Sequence, residues 1–301
     1  MTRTRVLATA LLLSLVAACG SEDGGGDSTP PAEAGGTVTV DLDDRPFTLH
    51  FPASYDPAGS APLVVLLHGY TSSAAQHEAY FQLTPESDRR GFVYAMPDGT
   101  RDKGGKQFWN ATDACCDFDD LNVDDSAYLR RLIETVTSAY AVDPARVYLV
   151  GHSNGGFMAL RMACEHADVV TGVVSVAGSA TDDPAGCTPT DGVSVLQIHG
   201  DADRIIRYEG GANFGNAYPS AEGVVEMWRT LNGCSDTAET GEPLDLDRTL
   251  PGAETTVTLY QEGCRDGARV ALWTIGGGGH SPRFTEHFAG AVVDFLYGES
   301  S

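Results

Sequence analysis

Apolar positions along this chain follow two rhythms that take turns. The runs at 63–67, 92–96, 147–150, 172–176, 193–198 and 270–275 are short, nearly all apolar and rich in Val, Leu and Ile. Such runs suit strands covered on both faces, as in a parallel sheet. Between them the spacing turns helical: Leu129, Leu132, Ile133, Val136 and Tyr140 stand at offsets of 0, 3, 4, 7 and 11, one face of an amphipathic helix. Further helices are predicted over 157–166, 220–231 and 285–296. Two-residue alternation at 37–43 and 47–51 predicts a leading antiparallel hairpin. Strands alternating with helices give a doubly wound, mainly parallel α/β sheet. Residues 37–301 are about the length of one such domain. The connection 178–192 is too short for a helical lid, so the cleft is expected to be open, walled by the irregular stretches 98–121 and 204–219.

The first residues break this pattern. Arg3 and Arg5 precede an apolar run at 6–16, and Val16-Ala17-Ala18 stands before Cys19. Residues 1–18 read as a lipoprotein signal peptide, with Cys19 the lipidated first residue of the mature chain. The apolar run is shorter than the ~20 residues a spanning helix needs. Residues 19–36, rich in Gly, Ser, Pro and acids, are expected to be a disordered tether. The formal charge of −23 becomes −25 once the two leader arginines are removed. A surface of that sign repels nucleic acid and anionic headgroups, so membrane contact is expected through lipid alone. Six further cysteines, Cys115, Cys116, Cys164, Cys187, Cys234 and Cys264, are an even number in an exported chain and read as three disulfides of open pairing. No C-x-x-C or H-x-x-x-H spacing supports a metal site.

Chemistry concentrates where Val147-Tyr148-Leu149-Val150 runs into Gly151-His152-Ser153-Asn154-Gly155-Gly156 and then a helical stretch. A strand, G-x-S-x-G and a helix form the nucleophile elbow of an α/β-hydrolase, a tight turn that lifts a serine Oγ clear of the sheet. The serine needs a base, which in this fold follows the acid in sequence. Of eight histidines, six come too early in the chain. His287 lies on the terminal amphipathic helix, which leaves His280, at the end of Gly276-Gly277-Gly278-Gly279. The acid is expected after an intermediate strand, in His199-Gly200-Asp201-Ala202-Asp203. Asp203 is the choice, with Asp201 capping its own turn and Asp182 or Asp183 a third option. An oxyanion needs two preorganised backbone donors. These are expected from Asn154 and Tyr70, with Thr71 in reserve. His68 is expected to bond a neighbouring loop. Phe108 and Trp109 either line the acyl cleft or belong to the core.

His68-Gly69, Phe108-Trp109-Asn110, Cys115-Cys116, Val123-Asp124-Asp125, the elbow, His199-Gly200-x-x-Asp203, Trp228 with Gly233-Cys234, and Gly279-His280 together resemble the polyhydroxybutyrate depolymerase-like serine esterases. That group includes bacterial lipoproteins and is similar to feruloyl and acetyl-xylan esterases. The resemblance spans the chain from about Val38 to Gly298 and implies a triad of Ser153, Asp203 and His280, with Cys234 bonded to Cys264. Many relatives carry an aromatic two residues after the base, where this chain has Gly279-His280-Ser281-Pro282-Arg283.

The expected function is therefore an exported, lipid-anchored or secreted serine carboxylesterase, a monomer hydrolysing short-chain or hydroxyacid esters without metal or organic cofactor. A feruloyl or acetyl-xylan esterase, or an acyltransferase, shares its first half-reaction. A non-catalytic binding lipoprotein on the same fold is the alternative of another class.

Overall fold

The computed structural model describes residues 30–299. The expected signal peptide, Cys19 and the tether as far as residue 29 lie outside them. Residues 30–36, expected to belong to the tether, lie against the domain instead. The Tyr140 hydroxyl donates to the Pro30 carbonyl at 3.1 Å, and the Gly35 amide to that of Pro52 at 3.1 Å.

Ten strands form one sheet. They are β1 (Thr37–Val40), β2 (Phe47–His50), β3 (Ala61–Leu67), β4 (Val93–Pro97), β5 (Val142–His152), β6 (Gly172–Val176), β7 (Ser194–Gly200), β8 (Glu239–Thr240), β9 (Thr255–Tyr260) and β10 (Val270–Ile275). Their order is β1-β2-β4-β3-β5-β6-β7-β10-β9-β8. The run from β4 to β10 is parallel throughout, and the antiparallel pairs β1–β2–β4 and β10–β9–β8 flank it. The leading hairpin and all six parallel strands stand where the apolar runs placed them. This is the α/β-hydrolase architecture, with no large lid among the described residues.

Helices α1 (Ala74–Phe81), α2 (Leu83–Arg90), α3 (Asp125–Ala139), α4 (Asn154–Glu165), α5 (Ala221–Leu231) and α6 (His287–Tyr297) cover both faces. Their starts follow from capping. Ser73, Asp124 and Ser220 each accept a backbone amide from the first turn of α1, α3 and α5, satisfying one of the donors a helix leaves free. Because side chains alternate across a strand, the sheet divides the core. Leu63, Val65 and Leu67 of β3 pack with α3, α4 and α5, while Val64 and Leu66 pack with Phe81, Leu83 and the apolar face of α6. Every one of these five β3 side chains is fully buried, which fixes the register, since a slip by one residue would exchange the two cores.

Three disulfides join Cys115 to Cys116, Cys164 to Cys187 and Cys234 to Cys264. The last is the pair the resemblance implied. A chain so crosslinked suits an oxidising compartment.

Candidate active site

Strand β5 ends at His152 and α4 begins at Asn154, so Ser153 alone makes the turn, at φ 53° and ψ −118°. That backbone is unfavourable for any residue with a Cβ. Its amide is held by the Val176 carbonyl at 2.7 Å. The glycines of the motif have a measurable reason. A methyl group on Gly151 would stand 2.1 Å from the Gly155 carbonyl oxygen, and one on Gly155 2.0 Å from that of Leu67. The strand and helix cross too closely for any side chain there.

The other two members arrive on loops at the carboxyl ends of β7 and β10. Asp203 lies three residues beyond Gly200, the last of β7. Its Oδ1 accepts the amides of Ile205 and Ile206 at 2.8 and 3.1 Å, and its Oδ2 accepts His280 Nδ1 at 2.7 Å. With that proton committed, His280 Nε2 is bare and faces the Ser153 hydroxyl at 3.0 Å. The Asp203 side chain has no exposed surface, whereas that of His280 keeps 17%. Burial alone would push the Asp203 carboxyl up. Hydrogen bonds from His199 and His280, with the Ile205 amide, outweigh it and hold the carboxyl well below the usual carboxylate range. The carboxylate stays ionised beside the imidazole.

Asp201, expected to cap its own turn, accepts the Gly277 amide at 2.6 Å instead. It anchors the glycine loop that carries His280. Asp183 caps a short turn at Pro184–Gly186 and makes no bond to the triad.

For an oxyanion, the Thr71 amide is already given to the Gln107 carbonyl at 2.8 Å. The Tyr70 amide carries no bond to another described residue, and Asn154 opens α4, where an amide lacks a helical partner. Of the expected donors, the amides of Tyr70 and Asn154 are thus the two left without a partner among the described residues. The Asn154 side chain has a separate task. Its Oδ1 accepts the Trp109 amide at 2.7 Å and its Nδ2 donates to the Trp109 carbonyl at 2.8 Å. Trp109 in turn donates its indole N–H to the His68 carbonyl at 3.0 Å. Trp109 and Phe108 are fully buried, so of the two roles left open for them the core is where they stand, and neither offers a face to substrate. His68 bonds the neighbouring loop as expected, accepting the Gly99 amide at 2.8 Å.

The walls do flank this site, each stiffened by a small antiparallel ribbon, Thr100–Arg101 with Gln107–Phe108 and Gly211–Asn213 with Asn216–Tyr218. They meet. Asn213 and Asn216 donate to the carbonyls of Ala114 and Asp113, and the rings of Phe118 and Phe214 lie 4.7 Å apart. Tyr70 stands edge-on to Phe118 at 5.4 Å. Phe214 is 84% and Phe118 41% exposed, so an aromatic rim runs outward from the loop at Tyr70.

The family described as "Putative esterase" matches residues 42–260 of this chain. The chain belongs to that family. It is an esterase, an enzyme that hydrolyses carboxylic esters. "Feruloyl esterase B" of Piromyces equi is 32% identical over 248 residues, covering 79% of this chain but only 42% of that protein. "Putative esterase NocK" of Nocardia uniformis subsp. tsuyamanensis is 30% identical over 97% of this chain and 93% of its own length. Among solved structures, the acetyl xylan esterase from Aspergillus awamori superposes with a TM-score of 0.63 at 14% identity, over 87% of this chain and 99% of that one. That likeness concerns the fold. The similarity to feruloyl and acetyl-xylan esterases carried by the motifs is borne out.

Chain order removed six histidines of the esterase from the search for a base, and it said nothing of what else they do. His199 lies beside the acid, its Nε2 3.3 Å from Asp203 Oδ2 and 2.8 Å from the Ile206 carbonyl, with Nδ1 3.0 Å from Gln197 Nε2. His152 is buried next to the base, and His77 is buried next to His152. Only position in the fold reveals them, because an isolated histidine has no spacing to read.

Proposed function

We propose that this esterase works through an acyl-enzyme on Ser153. His280 Nε2 takes the Ser153 proton as Oγ bonds to the ester carbon, and the carbonyl electron pair moves onto oxygen between the Tyr70 and Asn154 amides. Collapse breaks the ester C–O bond, and the leaving alkoxide takes the proton from His280. Water then repeats the sequence and releases the acid. The observation that carries this reading is the unbroken line from Ser153 Oγ through His280 to Asp203, at 3.0 and 2.7 Å. A fluorophosphonate should label the wild-type chain and not Ser153→Ala, with kcat of that variant below about 10⁻³ of wild type. Labelling at any other residue overturns the assignment.

The substrates we propose are short-chain or 3-hydroxyacid esters, following the motif resemblance. The rim of half-buried Tyr70 and exposed Phe118 and Phe214 favours a second reading, a feruloyl-type ester whose aromatic acyl group stacks there. Comparing kcat/KM for hydroxybutyrate oligomers and alkyl ferulates decides between them. We also place the enzyme outside the cytoplasm, held by lipid on Cys19. Its charge of −23 offers no attraction to anionic headgroups. Cys19→Ala should move it to the soluble fraction, and persistence at the membrane would refute the anchor.

A further inference from the structure

His280 stands on a loop of four glycines, which offer no side chains to hold it. On the acid side the loop is tied twice, by the Gly277 amide to Asp201 at 2.6 Å and by the Gly278 carbonyl to the Ala202 amide at 3.0 Å. On the serine side a histidine ties it: His152 Nε2 meets the carbonyl oxygen of His280 itself at 2.9 Å. His152 is also the peptide neighbour of Ser153. One side chain therefore spans from the residue before the nucleophile to the backbone of the base.

A carbonyl oxygen only accepts, so His152 Nε2 carries the proton and its Nδ1 is bare. Facing that Nδ1 at 3.2 Å is His77 Nε2, which must donate. His77 Nδ1 is then bare and accepts the Ser72 hydroxyl at 2.9 Å. The opposite His77 tautomer would accept the Gly69 amide at 3.3 Å, but it would set two lone pairs face to face and leave His152 without a donor. The row Ser72, His77, His152, His280 thus runs from the oxyanion loop, through α1, to the base. Both inner histidines are buried, with Tyr80 and Phe81 ringed about them.

We propose that His152, braced by His77, is a positioning residue that holds His280 at hydrogen-bonding distance from Ser153. It touches no substrate and transfers no proton; it sets where the base stands. A misplacement of about 1 Å can cost about a hundredfold in rate, so one such tie carries kinetic weight. Burial keeps both rings neutral, pulling His152 down to about 4 and His77 to about 2, and the tautomers persist wherever an imidazole base works. The titratable groups around the pair are His68, Tyr80, His199, His280 and Asp203.

The proposal rests on the serine mechanism above, and two measurements separate the failure of one from that of the other. In the substrate-free full chain, imidazole ¹⁵N shifts should show His152 and His77 protonated on Nε2 only. A proton on His152 Nδ1 overturns the brace and leaves the mechanism untouched. In kinetics, His152→Leu should lower kcat about thirtyfold with KM unchanged, whereas His152→Gln, which keeps a donor near the Nε2 position, should recover to within about fivefold of wild type. His77→Leu should lower kcat several-fold on its own and add nothing to His152→Leu, because it acts through the same side chain. A His152→Leu enzyme within twofold of wild type, equal losses in the Leu and Gln variants, or multiplying effects of His77 and His152 would each overturn the proposal. Should His152→Leu not fold, the Gln variant and His77→Leu carry the same comparison.

Discussion

Asp201 and Asp203 are two residues apart, alike in chemistry, and have different work. Asp203 accepts a hydrogen bond from His280 Nδ1 at 2.7 Å and so fixes which imidazole nitrogen is bare. Asp201 holds a backbone amide of the loop below it. Asp203→Asn presents the wrong partner and should lower kcat by about 10³–10⁴. Asp201→Asn removes the charge from one amide contact and should cost less than about tenfold. Steady-state kinetics of the pair checks this, and comparable losses would mean the acid is shared. The triad could be read from the chain because its order is fixed by the fold and its loops are marked by glycine. The side chains of Trp109 and Asn154 could not, since residue type gives polarity and size but not which neighbour closes over them. Asn154 was expected to offer its amide; its two bonds to Trp109 appear only once the wall 98–121 is placed.

Among the elements, fully apolar runs were legible because both faces of β3, β5, β6 and β7 are covered. The last two strands of the far edge, β9 and β8, were not. β9 is half exposed and β8 has two residues, too little burial to impress a pattern on the sequence. Helices α1 and α2 show no legible period for a related reason. Each spans eight residues, and α1 buries His77 beside Ala74 and Phe81, a polar residue where periodicity looks for an apolar one. The segment between β6 and β7 holds only a three-residue turn at Pro184–Gly186, and with no helix there to open, activity needs no interface. Hydrolysis of dissolved short esters should follow simple saturation, without a rise as substrate passes its solubility limit. A jump at that limit, with an optimum above about ten acyl carbons, would contradict an open cleft.

For the molecule as a whole, the buried histidines set the acid limit. In the unfolded chain His77 and His152 titrate near 6.5, but in the fold burial brings them to about 2 and about 4. Below pH 6.5 the unfolded chain binds protons that the folded one does not. Their contribution is therefore complete above 6.5 and shrinks as pH falls, by roughly 3 kcal/mol for His152 alone on reaching pH 4. Urea midpoints should fall steadily from pH 7 to pH 4; a flat profile would show these rings to be open to solvent.

The three disulfides do not share one thermodynamic role. Cys164–Cys187 and Cys234–Cys264 close loops of 23 and 30 residues, and each restricts the unfolded chain enough to be worth about 3.5 kcal/mol by loop-closure entropy. Cys115–Cys116 joins neighbours and closes no loop, so it takes almost nothing from the disorder of the unfolded chain. Its sulfur instead lies against the Asn154 side chain, at 3.5 Å, one residue from the nucleophile. Durability and reactivity are thereby assigned to different sulfur atoms. Replacing the two distant pairs by alanine should lower the melting temperature and spare kcat, while Cys115→Ala with Cys116→Ala should disturb kcat far more than the melting temperature.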